Sequence, residues 1–520
     1  MFKFIISAIL VFTYGSMKAQ NQVPVVHIES IDHDLDMHSV TIHYTLTDAE
    51  NDICTVSLAG SDSNGETFLM DVNQATGDIG PNIAPGVNKT IHWIYADTTN
   101  LSKAFAKVIA DDGQVAGIAE LVAQVDSNRL KTRLAELAKI RHYSSNPQGL
   151  NDARDSIKSR LDQNGLNPES WEFTWSTTTG QNITGRKPGL TNEYPTYIID
   201  AHYDSVSNSP GADDNGSGVV GMMEIMDILS QYQFKKSLRF IGFDLEEAGL
   251  KGSTEYVQSQ IKPYEQIEGV LNFEMIGYYS EQPNSQTLPN GFSILFPTQT
   301  AAVINNQSKG DFIAVTGNAI SAPMITAMET NAATYVPDLK VISLPLPGDG
   351  TIAPDLMRSD HAPFWLSGKK ALMITDGANF RNANYHKSSD TVATLNFQFM
   401  AKVVKATLAT AASWAELMHA GQASFPLVYE STDDHHIFPC QASLSPNPVI
   451  TEGILTISNC PNSLIKISVF DPNGKRYFQK QILASQEATE IKLPTENLPK
   501  GVYLVLLETG ESAHYLKMLK

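Results

Sequence analysis

The pattern of apolar and polar positions divides the chain into three textures. Between residues 22 and 115 it alternates with period two, as in Val40-Thr-Ile-His-Tyr-Thr-Leu46 and Lys89-Thr-Ile-His-Trp-Ile-Tyr95. Successive side chains of a strand point to opposite faces, so this alternation predicts half-buried strands. Turn-rich stretches at 60–65 and 77–81 separate the runs, and together they predict a small β-sandwich. Its histidines (His27, His33, His38, His43 and His92) are scattered and form no ligand pattern.

The period lengthens after Asp126. Over 128–142 the residues Leu130, Leu134, Leu137 and Ile140 recur at helical spacing, and 152–166 repeats the pattern. Further on, apolar strands are expected at 196–201, 238–243, 269–273, 292–296, 341–344 and 371–375. Helical stretches at 218–229, 301–307 and 397–418 lie between and after them. Such alternation predicts, over 125–421, a three-layer α/β/α domain with a mixed, mostly parallel central sheet. Residues 422–440 read as a linker around Ser431-Thr-Asp-Asp-His-His436, whose histidine pair fits a solvated loop. From 441 to 520 period two returns at Leu455-Thr-Ile457, 465–470 and 502–507, with a hairpin-type turn at Asp471-Pro-Asn-Gly474. A second β-sandwich is expected there.

Composition narrows the classes. The chain has 520 residues, 42% of them hydrophobic and 18% charged, which is globular rather than disordered. A formal net charge of −19 argues against nucleic acid as a partner. Met1-Phe-Lys3 precedes an apolar run from Phe4 to Tyr14 that is too short to span a bilayer. Residues 1–20 therefore read as a signal peptide cut near Ala19 or Gln20. No later segment reaches eighteen apolar residues, so no transmembrane segment is expected in the mature chain. The three cysteines, Cys54, Cys440 and Cys460, leave the central region without thiols, which excludes a thiolate metal site there. Cys440 and Cys460 are able to pair in an oxidising compartment, and Cys54 reads as a buried small apolar residue.

The chemistry lies in five segments of the α/β region, placed at or beyond predicted strand ends, where open α/β sheets form their sites. His202-Tyr-Asp204 ends the first strand; Asp204 is spaced to hold the second ring nitrogen of a ligating histidine. Gly211-Ala-Asp-Asp214-Asn-Gly-Ser-Gly218 sets two acids among small residues before a helix, where one of them also suits a cap. Glu246-Glu247 follows another strand; one glutamate can bind metal while the other takes a proton from water. Glu274 interrupts an apolar strand, and Tyr385-His386-Lys-Ser-Ser-Asp390 lies beyond the last strand. Nitrogen and oxygen donors without thiolate suit zinc, with manganese and cobalt left open.

In this order the motifs His202-x-Asp204, Gly211-Ala-Asp-Asp214, Glu246-Glu247-x-Gly-Leu-x-Gly-Ser253, Asn272-x-Glu274-Met-x-Gly277 and Tyr385-His386-x-x-x-Asp390 resemble metallopeptidase family twenty-eight. Ser359-Asp-His361-Ala-Pro-Phe364 is similar to a further segment of that family. The resemblance implies two Zn2+ ions bridged by Asp214. His202 and Glu274 would complete one site, Glu247 and His386 the other. Glu246 would be the general base, a bridging hydroxide the nucleophile, and Asp204 the catalytic residue that orients His202. It further implies a zinc aminopeptidase acting on peptide substrates. A carboxypeptidase or dipeptidase, with Arg381 as a candidate carboxylate anchor, and a glutaminyl cyclase stay open on the same scaffold. Many members carry Asp where this chain has Glu274, and Lys387 is unusual. The segment with Leu444-Ser-Pro-Asn-Pro448, Leu498-Pro-Lys-Gly-Val-Tyr503 and Tyr515-Leu-Lys-Met-Leu-Lys520 resembles a type nine secretion sorting domain. That implies a partner in the secretion machinery and a secreted or cell-surface location.

Overall fold

Alternation near the N terminus becomes two four-stranded sheets whose inward residues share one core. The first sheet pairs Val25–Asp34, Ser39–Thr47, Gly86–Ile94 and Thr76–Gly77 in that order. Val40, Ile42, Tyr44, Ile91 and Trp93 from it meet Val56, Val108 and Ala110 from the second. The computed structural model describes residues 21–520 apart from 35, 97–98, 100, 428–439, 448, 450–452, 461–462, 472–474, 497 and 510–512. The expected signal peptide, the His435-His436 pair and the Asn473-Gly474 turn lie outside the described residues.

The second sheet corrects the expected linker. Its order is Ala420–Pro426, Phe105–Asp111, Cys54–Ser61, Gly80–Ile83, so the chain returns after the α/β region to add an edge strand. Ala420 to Pro426 pairs antiparallel with Asp111 to Phe105 along its whole length. The physical reason is burial: Phe105 to Ala110 is buried, and its backbone groups need a partner on both sides. Phe425 and Leu427 join the sandwich core, and a side chain at Gly421 would strike the Pro24 carbonyl.

The α/β region holds an eight-stranded mixed sheet ordered Val341–Pro345, Ile313–Gly317, Ala371–Thr375, Gln266–Glu274, Pro195–His202, Ser237–Phe243, Thr178–Lys187, Glu169–Trp175. Its centre is parallel from Ala371–Thr375 through Gln266–Glu274 and Pro195–His202 to Ser237–Phe243. Antiparallel pairings enter towards both edges. Successive residues feed opposite cores. Ile199 and Ala201 pack under the helices Ser127–Leu137, Pro147–Gln163, Gly218–Leu229 and Phe397–Ala415. Ile198, Ile241 and Val270 meet Tyr256, Phe296, Phe364 and Trp365 on the other face. This gives three layers.

Two expectations fail locally. Residues 292–296 are not a strand; Phe292–Leu295 is a short helix. A five-residue apolar run fits either state. Here Phe292 and Phe296 fall on one helical face, with ring centroids 4.8 Å apart. The strand expected there is supplied by Ile313–Gly317, which is buried along its length and was not foreseen. The final helix stops at Ala415 rather than 418, and Leu417–Met418 pairs with Gln233–Phe234 instead.

The C-terminal residues form a three-stranded sheet (Gln441–Ser445, Gly453–Ser458, Thr489–Leu493) and a four-stranded sheet (Arg476–Ala484, Ser463–Phe470, Val502–Glu508, Ala513–Leu519). Leu455, Ile457, Ile467, Val505 and Leu507 lie between them. Cys440 and Cys460 form a disulfide beside this core, and Cys54 is buried and free.

Candidate metal centre

Parallel strands deliver their carboxyl ends to one edge of the sheet. His202 is the last residue of its strand and Glu274 the last of the neighbour. Glu246 and Glu247 follow Phe243, which ends the strand on the other side. Asp214 sits in the turn that enters the helix Gly218–Leu229. His386 arrives from the loop beyond Ala371–Thr375. Residues far apart in sequence thus converge because three strand ends and two loops share one rim.

Asp214 divides the cluster. Its Oδ1 lies 3.5 Å from His202 Nε2, which stands 3.4 Å from Glu274 Oε2. Its Oδ2 lies 3.1 Å from His386 Nε2, which stands 3.2 Å from Glu247 Oε2. Glu246 Oε2 is 3.9 Å from His202 Nε2. Among the described residues two groups can surround an ion: His202 with Glu246 and Glu274, and Asp214 with Glu247 and His386.

The residues fit divalent metal. Two atoms each about 2.0–2.1 Å from a tetrahedral ion stand about 3.3–3.4 Å apart, close to the separations here. The ring nitrogens of His202, His386 Nε2, Asp214 Oδ2 and Glu247 Oε1 are buried without hydrogen-bond partners. Each such atom would cost about 1–3 kcal/mol if nothing received it. His202 Nδ1 faces Asp204; the other four belong to side chains that converge on one place, as a cation site requires.

The electrostatics agree. Burial, reinforced by Glu274, Asp360 and Glu247 against the opposing pull of His202, pushes Glu246 well above the carboxylate range. Burial and Asp214 push Glu247 up to about 7. Burial disfavours charge on His386, but Asp214 and Glu247 outweigh it and raise the imidazole to about 10. His202 is also raised, because Glu246, Asp204 and Glu274 overcome its burial. The cluster is short of positive charge.

A surrounding shell fixes these side chains. Asp204 does more than face His202. Its Oδ1 is 3.4 Å from His202 Nδ1, but its hydrogen bonds come from the Glu246 and Glu247 amides, at 3.1 and 3.2 Å. One carboxylate therefore ties the strand end to the glutamate turn. Asp390 accepts from the Asp213 and Asp214 amides at 2.9 and 3.1 Å and holds the Asp214 turn from the far side. The turn needs Gly211 at φ +55°, since a Cβ there would fall 2.3 Å from the Asp214 carbonyl. Asn215 donates to the Phe273 carbonyl and accepts from Met275, linking the turn to the Glu274 strand. Asp213 turns away from the cluster, accepting from Asn382 and Gly277.

Some contributors escaped the sequence reading. Ser359 donates to Glu274 Oε2 at 2.7 Å, which gives the Ser359-Asp-His361 segment a purpose. Its serine-acid-histidine order before a helix was the available signal. Tyr385 stacks on His386 at 3.7 Å between centroids, and Arg358 donates to its hydroxyl. Arg381, a candidate anchor for a substrate carboxylate, is buried, bonded to Gln286 and the Tyr278 carbonyl. Lys387 turns its ammonium to the Ala383 carbonyl. Arg141 is wholly buried behind the centre, and nothing in its sequence neighbourhood marked it.

Residues 182–411 match the model of peptidase family M28, and 443–520 that of a secretion system C-terminal sorting domain. All five proposed metal-ligand positions, and Glu246, fall inside the M28 segment. An uncharacterized Escherichia coli protein, YfbL, is 36% identical over 224 residues, covering 40% of this chain and 64% of that one. Aminopeptidase YwaD of Bacillus subtilis is 43% identical over 101 residues, covering 19% of this chain and 22% of its own. The chain thus spans less than two thirds of the length of these curated relatives. Among solved structures, the LapA aminopeptidase of Legionella pneumophila is similar at 20% identity and a TM-score of 0.45, covering 57% of this chain and 73% of that one. No helix among the described residues is long and apolar enough to cross a membrane.

Proposed function

We propose that this chain is a secreted metallo-aminopeptidase that uses two zinc ions to remove N-terminal residues from peptides. The observation that carries the reading is the division of Asp214, with one oxygen toward His202 and Glu274 and the other toward His386 and Glu247. A carboxylate with two faces, each completed by one histidine and one glutamate, suits a bridge between two cations. The M28 assignment and the aminopeptidase named among its relatives support the class.

Bound zinc would polarise the scissile carbonyl and acidify water at the centre. The chain's own residues do the rest. His202, Asp214, Glu247, Glu274 and His386 are the ligands. Glu246 leans over the His202 side without a place in the Asp214 bridge. Its buried, proton-hungry carboxyl takes a proton from the attacking water and returns it to the leaving amine. Asp204 fixes the turn from which Glu246 acts. The unblocked N terminus of the substrate is an ammonium or amine, and the excess of carboxylates at the rim is what receives it. The sorting domain at 443–520 takes the secretion machinery as partner and supports a secreted or cell-surface location.

The test is zinc analysis of the purified chain together with hydrolysis of amino-acid arylamides, free or N-acetylated. Two zinc equivalents, activity on free amines and none on acetylated substrates are expected. Cleavage of blocked substrates at equal rate would remove the aminopeptidase reading. A zinc content near zero in active protein would remove the metal assignment.

A further inference from the structure

Arg141 lies outside the M28 segment, in the loop that follows the helix Ser127–Leu137, and is 0% exposed. Its guanidinium meets five backbone carbonyls. Nε donates to Tyr203 at 2.7 Å. Nη1 faces Leu137, Lys139 and Pro210 at 3.3, 3.1 and 2.8 Å, and Nη2 donates to Gly211 at 2.9 Å. No carboxylate among the described residues is in ion-pair contact with it.

Those carbonyls belong to three pieces of chain, two of which carry the centre. Tyr203 stands between His202 and Asp204. Pro210 and Gly211 lead into Asp213 and Asp214. Leu137 is the last residue of its helix, where unpaired carbonyls are concentrated. A buried guanidinium is costly unless its donors are used. Here they are used to clamp the exit of the His202 strand to the entrance of the Asp214 turn. The clamp spans the same gap as the 3.5 Å approach of His202 Nε2 to Asp214 Oδ1. Around it stand Asp204, Asp214, Asp390 and Glu247, whose negative charge favours the guanidinium.

We infer that Arg141 is a positioning residue of the metal centre: its planar fork sets the separation of His202 and Asp214 and thereby the affinity for zinc. The inference rests on the two-zinc reading above. Lysine keeps the charge but presents one nitrogen where the fork presents three, so Arg141→Lys tests geometry rather than charge.

The experiment compares the zinc affinity of the full-length wild type, Arg141→Lys and Leu161→Ala by competition with a chromophoric chelator. Each is first shown to be folded by its melting curve. Leu161 is buried in the same core, on the helix Pro147–Gln163, so its truncation lowers stability without touching the carbonyl clamp. Arg141→Lys is expected to lose about 10–100-fold in affinity, the range for residues that orient metal ligands, while Leu161→Ala keeps wild-type affinity. Arg141→Ala, in the cavity it leaves, is expected to regain affinity when millimolar guanidinium is added. If Arg141→Lys folds and binds zinc as tightly as wild type, the inference fails. It fails equally if Leu161→Ala loses as much affinity, because packing alone then accounts for the effect. A wild type that binds no zinc removes the two-zinc reading instead.

Discussion

The two halves of the metal centre differ in their distance from water. The His202 side chain is 1% exposed and sits on a strand end, beside a glutamate that ends the adjacent strand. The His386 side chain is 37% exposed and comes from a loop. Sheet hydrogen bonding fixes the first half, and packing and turns fix the second. The difference separates two tasks. The buried half holds Glu246 in a dry setting where its proton affinity is high. The open half is the one solvent reaches and, on the proposed reading, the one a peptide would enter.

The largest effect is expected where the halves meet. Asp214→Ala should release both ions and abolish activity; two retained zinc equivalents by metal analysis would refute the bridge. Next comes the buried half. Glu246→Gln should keep its zinc and lose about 10²–10⁴-fold in kcat, and unchanged turnover in arylamide assays would remove the general base.

The halves themselves can be set against each other. His386→Ala should leave one tightly held zinc, whereas His202→Ala should lose metal from the half that sets the fold of the rim. Chelator-release kinetics should show the His386 side emptying first in wild type. Equal release rates from both halves would erase the contrast. A smaller change is expected from Ser359→Ala, which frees Glu274 from its hydroxyl partner. Zinc affinity should fall about 10-fold, with no effect on the His386 side.

Stability against pH sharpens the comparison without mutation. In the metal-free chain burial raises Glu247, Asp360 and Asp390 to about 7. Their unfolded values are near 4, so the folded state holds more protons between pH 4 and 7, and stability falls as pH rises through that window. His386, raised to about 10, extends the fall above its unfolded value of about 6.5. Buried His361, lowered to about 4, and His142, also lowered by burial, work the other way below pH 6.5, but they are two groups against four once Asp376, raised to about 6, is included. Thermal melts of chelator-treated protein should therefore give a Tm several degrees higher at pH 5 than at pH 8. Added zinc should stabilise most at the higher pH, because its ligands bind deprotonated. A metal-free Tm that rises with pH would contradict the charge distribution described here.

What was legible in the sequence was what repeats or clusters locally. Period-two alternation marked strands such as Ser39–Thr47, and helical spacing marked Gly218–Leu229 to the residue. His202, Asp214, Glu246, Glu247 and Glu274 stood out because each ends or interrupts an apolar run or crowds a glycine-rich turn, whereas the choice of His386 and the roles of all six came from the resemblance to the family. Their convergence follows from parallel strands, which the alternation of elements implied. Long-range acts left no local trace. Phe292–Leu295 is too short for its period to show, and Ile313–Gly317, though bracketed by Lys309-Gly-Asp311 and Asn318, is too short an apolar run to be told from a turn of helix. The bonds from Asp204 to the Glu246 and Glu247 amides depend on backbone groups that every residue carries. Arg141 is the extreme case, a charged residue whose partners are all carbonyls.

The returning strand Ala420–Pro426 gives the chain an order of assembly. The first sandwich occupies the earliest part of the polypeptide, yet its outer ladder closes only after some three hundred further residues have emerged. Until then Phe105–Asp111 offers a bare, apolar rim to any passing segment, the kind of edge that invites wrong partners. A chain threaded through a membrane N terminus first would have to shield that rim, and release it only when the last helix of the enzyme had followed.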